Sequence, residues 1–195
     1  MDRTTSPNAR RAPIPAVLAP VALVGGWTLA AALQPDFDPV GETISALAAT
    51  HARAPWVMGG TLAVTGLAHM ATALAVRRVR TPGRVVHAVG GAGTLAVALL
   101  PVDVAPAAHG AAAAVAFGAL SLWPALAGRR GERGVLSVTV QRSAAGVLVA
   151  LLGVFVLALQ DVGPFGASVT GLTERVLAAA QALWPAVVVL GTREA

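Results

Sequence analysis

The chain contains no cysteine and no lysine, and only 12% of its 195 residues are charged. Without thiols there is no disulfide framework, thiolate zinc site or cysteine nucleophile. Without lysine all 14 basic residues are arginine, so Schiff-base chemistry on lysine is excluded as well. A soluble domain carries about 25% charged residues. Half that fraction, on a chain that is 56% hydrophobic, argues against a water-exposed surface and for a membrane protein. Two motifs are also missing. No His-Glu-x-x-His run offers a metal site, and no Gly-x-Ser-x-Gly run offers a nucleophile elbow. The expectation is therefore no metal and no cofactor.

What the chain does have is apolar runs. They extend over Ala12 to Leu33, Ala54 to Val76, Val85 to Val102, Pro106 to Ala127, Ser143 to Gln160 and Leu172 to Gly191. Each approaches the roughly 20 residues that a helix needs to cross a hydrocarbon core of about 30 Å. Helices are expected because lipid offers no partner to an unpaired backbone amide, and no alternation of a barrel strand is present. The predicted fold is an all-α, polytopic bundle of six transmembrane helices. Residues 1–11 form a polar, disordered tail, and 12–195 form one domain.

The arginines orient this bundle. Arg3, Arg10, Arg11, Arg77, Arg78, Arg80, Arg84, Arg129, Arg130, Arg133, Arg142 and Arg193 fall on one side, and only Arg53 and Arg175 on the other. The acids divide the opposite way, with Asp36, Asp38, Glu42, Asp103, Asp161 and Glu174 facing Asp2, Glu132 and Glu194. The two sides thus carry +9 and −4. The positive-inside rule then places both termini in the cytoplasm of a plasma-membrane protein. A basic balance of +5 overall needs no nucleic-acid partner once it is divided this way. Trp27, Trp56 and Trp123 are expected at the membrane interfaces, with Trp184 deeper. Leu-Trp-Pro-Ala occurs twice, at Leu122 to Ala125 and Leu183 to Ala186, each in the inward half of an even-numbered helix. Gly110, Ala114 and Gly118, and Gly146 with Ala150, form small-residue faces for close helix packing within the bundle or, on a second reading, for a homodimer. Gly90, Gly91 and Gly93 are expected to loosen the third helix.

Candidate chemistry collects outside. Asp38 before Pro39 looks like a helix start, and Ile44, Leu47, Ala48 and His51 follow at helical spacing, predicting an amphipathic helix lying in the first outer loop. Ser45, Asp103 and His109 are the candidate catalytic set: nucleophile, orienting acid and base. Asp38, Glu42, Glu174 and Arg175 are candidate ligand-binding residues, as is His69. Arg175 departs from the charge bias, so an acidic partner among Asp36, Asp38, Glu42 and Asp161 is expected, or a lipid phosphate. Thr170 is expected to cap the last helix, with Glu174 suited to its positive end. His69 lies about 20 Å below the outer end of its helix, so it falls away from that outer set and toward His87.

In their order along the chain, Asp38-Pro39, Thr43 to Ala48, Leu67-Ala68-His69, Pro101, Ala108-His109-Gly110, Leu122 to Ala125, Glu174-Arg175 and Gln181 to Pro185 resemble the domain-of-unknown-function family numbered nine hundred and ninety-eight. This is a set of six-helix membrane proteins frequent in high-GC bacteria. The resemblance covers nearly the whole chain after Pro13 and implies six spans in a membrane, with no established reaction. The first outer loop is also distantly similar to that of the Frag1-like proteins. Where those carry an acid after the serine, this chain has Ala46. The functional expectation is a protein that holds a membrane lipid or another apolar small molecule between its helices. Its rivals are a lipid-acting hydrolase or acid-catalysed isomerase, and a small proton-linked transporter that uses His69.

Overall fold

The structure, a computed structural model, describes residues 13–163 and 166–192. The polar tail at 1–11 and the terminal Arg193 and Glu194 lie outside the described residues. Six α-helices run through the rest: α1 (Pro13–Ala32), α2 (Pro55–Ala75), α3 (Thr81–Leu99), α4 (Pro106–Ala127), α5 (Val138–Leu159) and α6 (Thr170–Gly191). No strand is present among the described residues, and Arg129 and Ser137 form one isolated bridge. All helices except α3 are long and apolar enough to cross a membrane. The surface agrees, since Ile14, Trp56, Leu74 and Leu99 are each at least 70% exposed. In water such an apolar belt would be an aggregation liability, whereas lipid is its natural solvent.

The helix starts follow local chemistry. α2 and α4 open on Pro55 and Pro106 and α3 has Pro82 in its first turn, where a missing N–H has no intrahelical partner to lose. The apolar runs place the starts of the third and fifth helices later than they are, because both helices begin within the arginine-bearing segments that precede those runs. Ser137 caps α5 by accepting from Val140 N, and Arg84 reaches back to donate to the carbonyls of Ala73 and Leu74 that end α2.

Cross-contacts define two ends. At one, the first loop (33–54) meets the α3–α4 connection and the start of α6 through Asp103 and Glu174. At the other, Arg80 N bonds Ala127 O and Arg78 bonds Thr192 O. Neighbouring helices α2, α3 and α4 approach very closely. A Cβ on Gly66 would stand 2.6 Å from Gly91 O, and one on Gly93 would stand 2.8 Å from Ala116 N. Gly90, Gly91 and Gly93 therefore do not loosen α3; they let α2 and α4 seat against it. The small-residue faces expected to pack the bundle point elsewhere: Gly110, Gly118 and Gly146 have nothing within 4 Å of a built Cβ.

Candidate functional site

The amphipathic helix expected in the first loop is a five-residue 3₁₀ turn at Ile44–Ala48, capped by Thr43. Ile44 and Leu47 point into the bundle and are buried, so the turn is a plug set into the helix ends. Asp38 does not start a helix. Its carboxylate accepts from the N–H groups of Val40 and Gly41, while Glu42 accepts from Asp38 N at 2.8 Å, which closes a tight local turn.

That turn docks on α6. Gly171 N and Leu172 N, first-turn donors without intrahelical partners, bond the carbonyls of Gly41 and Val40. Gly171 has no room for a side chain, because a Cβ would fall on the Glu42 carbonyl. Arg175 has carbonyl partners in place of the expected carboxylate: one guanidinium nitrogen donates to Pro39 O, Glu42 O and Gly171 O, and the group lies 5.3 Å from the Phe37 ring centroid. Asp161 instead accepts from Ala167 N. Thr170 does not cap α6 with its side chain, donating to Ala158 O and Ala167 O. Glu174, one turn further on, turns inward and accepts from Ile44 N at 2.6 Å.

Ser45 and His109 meet. The His109 ring has Nε2 at 2.9 Å from Ser45 Oγ and Nδ1 at 2.7 Å from Leu100 O. A carbonyl only accepts, so Nδ1 carries a hydrogen; in the neutral ring Nε2 is then the acceptor and the Ser45 hydroxyl donates to it. Asp103 is not the orienting acid of this pair. It accepts from Thr50 N at 3.0 Å and from the Thr50 hydroxyl, and lies 3.3 Å from His51 Nδ1. The Thr50 hydroxyl, together with the Thr50 N–H and His51, pulls the Asp103 carboxyl down to about 2. The short α3–α4 connection thus separates the two groups by role: Asp103 holds the end of the first loop, and Leu100 orients His109.

Beneath the plug lies a cavity of about 50 Å³. Its walls are mostly apolar, but Ser45, Thr65, His69, Thr94, Glu174 and Gln181 enter it. His69 therefore shares a cavity with two groups of the first-loop end, although its depth along α2 suggested otherwise. On its far side, His69 Nδ1 lies 3.0 Å from His87 Nε2. His87 in turn stacks on Trp123, with ring centroids 4.7 Å apart and planes within 16°. Trp123 is buried within the bundle. Trp184 packs between helices, donating to Gln141. His87 and Trp123 border a second small cavity of about 10 Å³ whose wall includes Arg84.

Gln181 is the main residue that sequence reasoning missed. Its amide donates to Phe117 O and to Ser121, whose hydroxyl donates to Leu148 O, joining α6, α4 and α5. The available signal was a lone amide inside an apolar run, since such groups bond across helices in lipid. Among the described residues no group of three or more His, Asp or Glu side chains stands together in a metal-binding arrangement.

Residues 17–191 match the family model described as "Protein of unknown function (DUF998)". The chain belongs to this family. No curated protein and no solved structure matches the chain. The five long apolar helices give the kind of molecule, a helical membrane protein.

Proposed function

We propose that all six helices cross the plasma membrane, with the arginine-rich end in the cytoplasm, and that Glu174, His69 and His87 form a proton relay between the two ends. The observation that carries this reading is the 3.0 Å contact between His69 and His87 directly below a cavity that also contains Glu174. A hydrogen bond between two imidazoles needs a hydrogen on one facing nitrogen and a lone pair on the other. A proton added to His69 can therefore be matched by release of one from His87. Ionisable side chains inside a membrane are costly and are functional candidates by default, above all when aligned as Glu and His chains.

Cavity size supports water over a larger ligand. One water needs about 10–15 Å³ by this measure, so the upper cavity, of about 50 Å³, has room for roughly three to five waters between Glu174 and His69. An engineered cavity that admits benzene is roughly 150 Å³, so the cavity beneath the plug is too small for a lipid chain or a comparable apolar molecule. α3 is included among the crossings because its 19 residues come close to the 21 and 22 of α2 and α4, which clasp it.

The test is proton flux into liposomes holding the purified protein, driven by a potassium diffusion potential and read by an entrapped pH dye. Glu174→Gln, which keeps an acceptor for Ile44 N, and His69→Phe and His87→Phe should each lower the protein-dependent rate about tenfold or more, as loss of one proton-transfer group does. A wild-type rate equal to that of empty liposomes, or three variants with unchanged rates, overturns the relay.

A second reading is favoured by the Ser45–His109 contact, a serine hydroxyl presented to a ring nitrogen of fixed tautomer. This is the nucleophile–base pair of a lipid-acting hydrolase. It ranks second because Ile44 N and Ala46 N, the donors flanking Ser45, are already engaged by Glu174 and Thr43 and leave an oxyanion without them. A fluorophosphonate that labels Ser45 in the wild type but not in His109→Ala would promote it.

A further inference from the structure

A wide recess lies at the opposite end from the first loop. It encloses about 720 Å³ between the α2–α3 and α4–α5 connections, and Arg77, Arg80, Arg129, Arg130 and Arg142 line it. These five side chains are exposed, and none of them has a carboxylate partner among the described residues. Their backbone frame is firmly set. Arg80 N bonds Ala127 O and Arg129 N bonds Leu136 O. Gly83 lies so close to Ala127, and Gly128 to Val138, that a Cβ on either would come within 2.8 Å of backbone. Rigid backbone thus gathers five cations around one hollow; Arg129 donates to Arg78 O, and the guanidinium groups of Arg77, Arg80, Arg130 and Arg142 make no hydrogen bond among the described residues. The same lining includes Val79, Pro82, Ala125 and Val138, an apolar border at the end of the membrane helices.

We propose that this recess binds a ligand bearing two or more phosphate groups, as the headgroup of an anionic lipid or as a soluble polyphosphate. Planar guanidinium forks take phosphate oxygens in pairs, and five of them outnumber what one phosphate can engage. Basic recesses between transmembrane helices suit anionic headgroups. Orientation by the positive-inside rule requires arginines on this side, but it does not require them to converge on one hollow. The proposal is independent of the proton relay, which lies deeper in the bundle.

The test measures binding to full-length protein in phosphatidylcholine nanodiscs, with cardiolipin added to the disc in one arm and inorganic tripolyphosphate added to the buffer in the other. Submicellar or disc-borne cardiolipin should raise the thermal midpoint and tripolyphosphate should bind with a measurable Kd in at least one arm, and the responding arm identifies the source. Arg80→Gln/Arg142→Gln should weaken binding about tenfold, the loss expected for two charge-assisted forks, while Arg133→Gln, on the α4–α5 connection but outside the recess lining, should leave it within about twofold. Arg80→Lys/Arg142→Lys keeps the charge and so the orientation, and should bind more weakly than wild type for want of the fork. No binding in either arm, or equal weakening by Arg133→Gln, would overturn the proposal.

Discussion

The two ends of the bundle handle charge in opposite ways. At the first-loop end these charged side chains hold the loop in place: Asp103 accepts from Thr50, Asp38 from Val40 and Gly41, Glu174 from Ile44, and Arg175 donates to three carbonyls. At the other end, Arg84 caps α2 and Arg78 and Arg129 reach carbonyls, but the recess carries its cations outward without carboxylates. Charge therefore builds structure where the loop closes the bundle, and stays available for a ligand where the arginines gather. The difference also bears on substitution. Removing a charge from the first-loop end costs stability, whereas removing one from the recess costs binding.

The largest effect expected at the first-loop end comes from a glycine. Gly171→Val sets a branched side chain against the Glu42 carbonyl, and overpacking against backbone costs about 1–3 kcal/mol or more. The first loop should undock, so hydrogen exchange at Ile44 and protease cleavage within 33–54 should both rise while the helices persist. An equivalent loss of the whole helical fold would mean that the loop is integral to the bundle, and the contrast between the ends would fail. Glu174→Ala should follow, leaving Ile44 N buried without an acceptor at a cost of about 1–3 kcal/mol. Glu174→Gln should recover much of this in a thermal unfolding assay, because its amide oxygen can still accept. If Gln and Ala variants melt together, the Ile44 bond contributes little.

The helices were legible in the residues because lipid demands long apolar runs, and the division of charge marked two ends because arginines and acids segregate along the chain. The site was legible only in part. Ser45 and His109 could be nominated by type, and they meet because the 3₁₀ plug brings residue 45 under the start of α4. The partner of His109 was not legible, since any backbone carbonyl can replace a carboxylate and no side chain announces it. Asp103 shows the same limit from the other side: its position near His109 in sequence suggested a shared role, while the fold turns it toward Thr50. The shared cavity of Glu174 and His69 was hidden because counting residues along α2 gives depth but not the reach of a void. The burial of Trp123 was not legible because hydropathy reports a residue's height in the bundle and not which face of α4 it occupies.

The smallest effect concerns Asp103, which is partly exposed and held by neutral donors and His51. Its carboxyl is lowered from 3.8 to about 2. A folded value below the unfolded one means that ionisation favours the docked loop. The contribution is complete above about 4, and it fades as pH falls toward 2, where the folded-state group takes up its proton. Wild-type protein should therefore show Thr50 amide protection that, after correction for intrinsic exchange, declines across this acid window. In Asp103→Asn that part of the pH dependence should vanish while protection near neutrality falls modestly, because an amide oxygen can still accept from Thr50 but carries no charge. An identical acid profile in the variant would assign the decline to another carboxylate and remove Asp103 from the set of groups that hold the first loop in place.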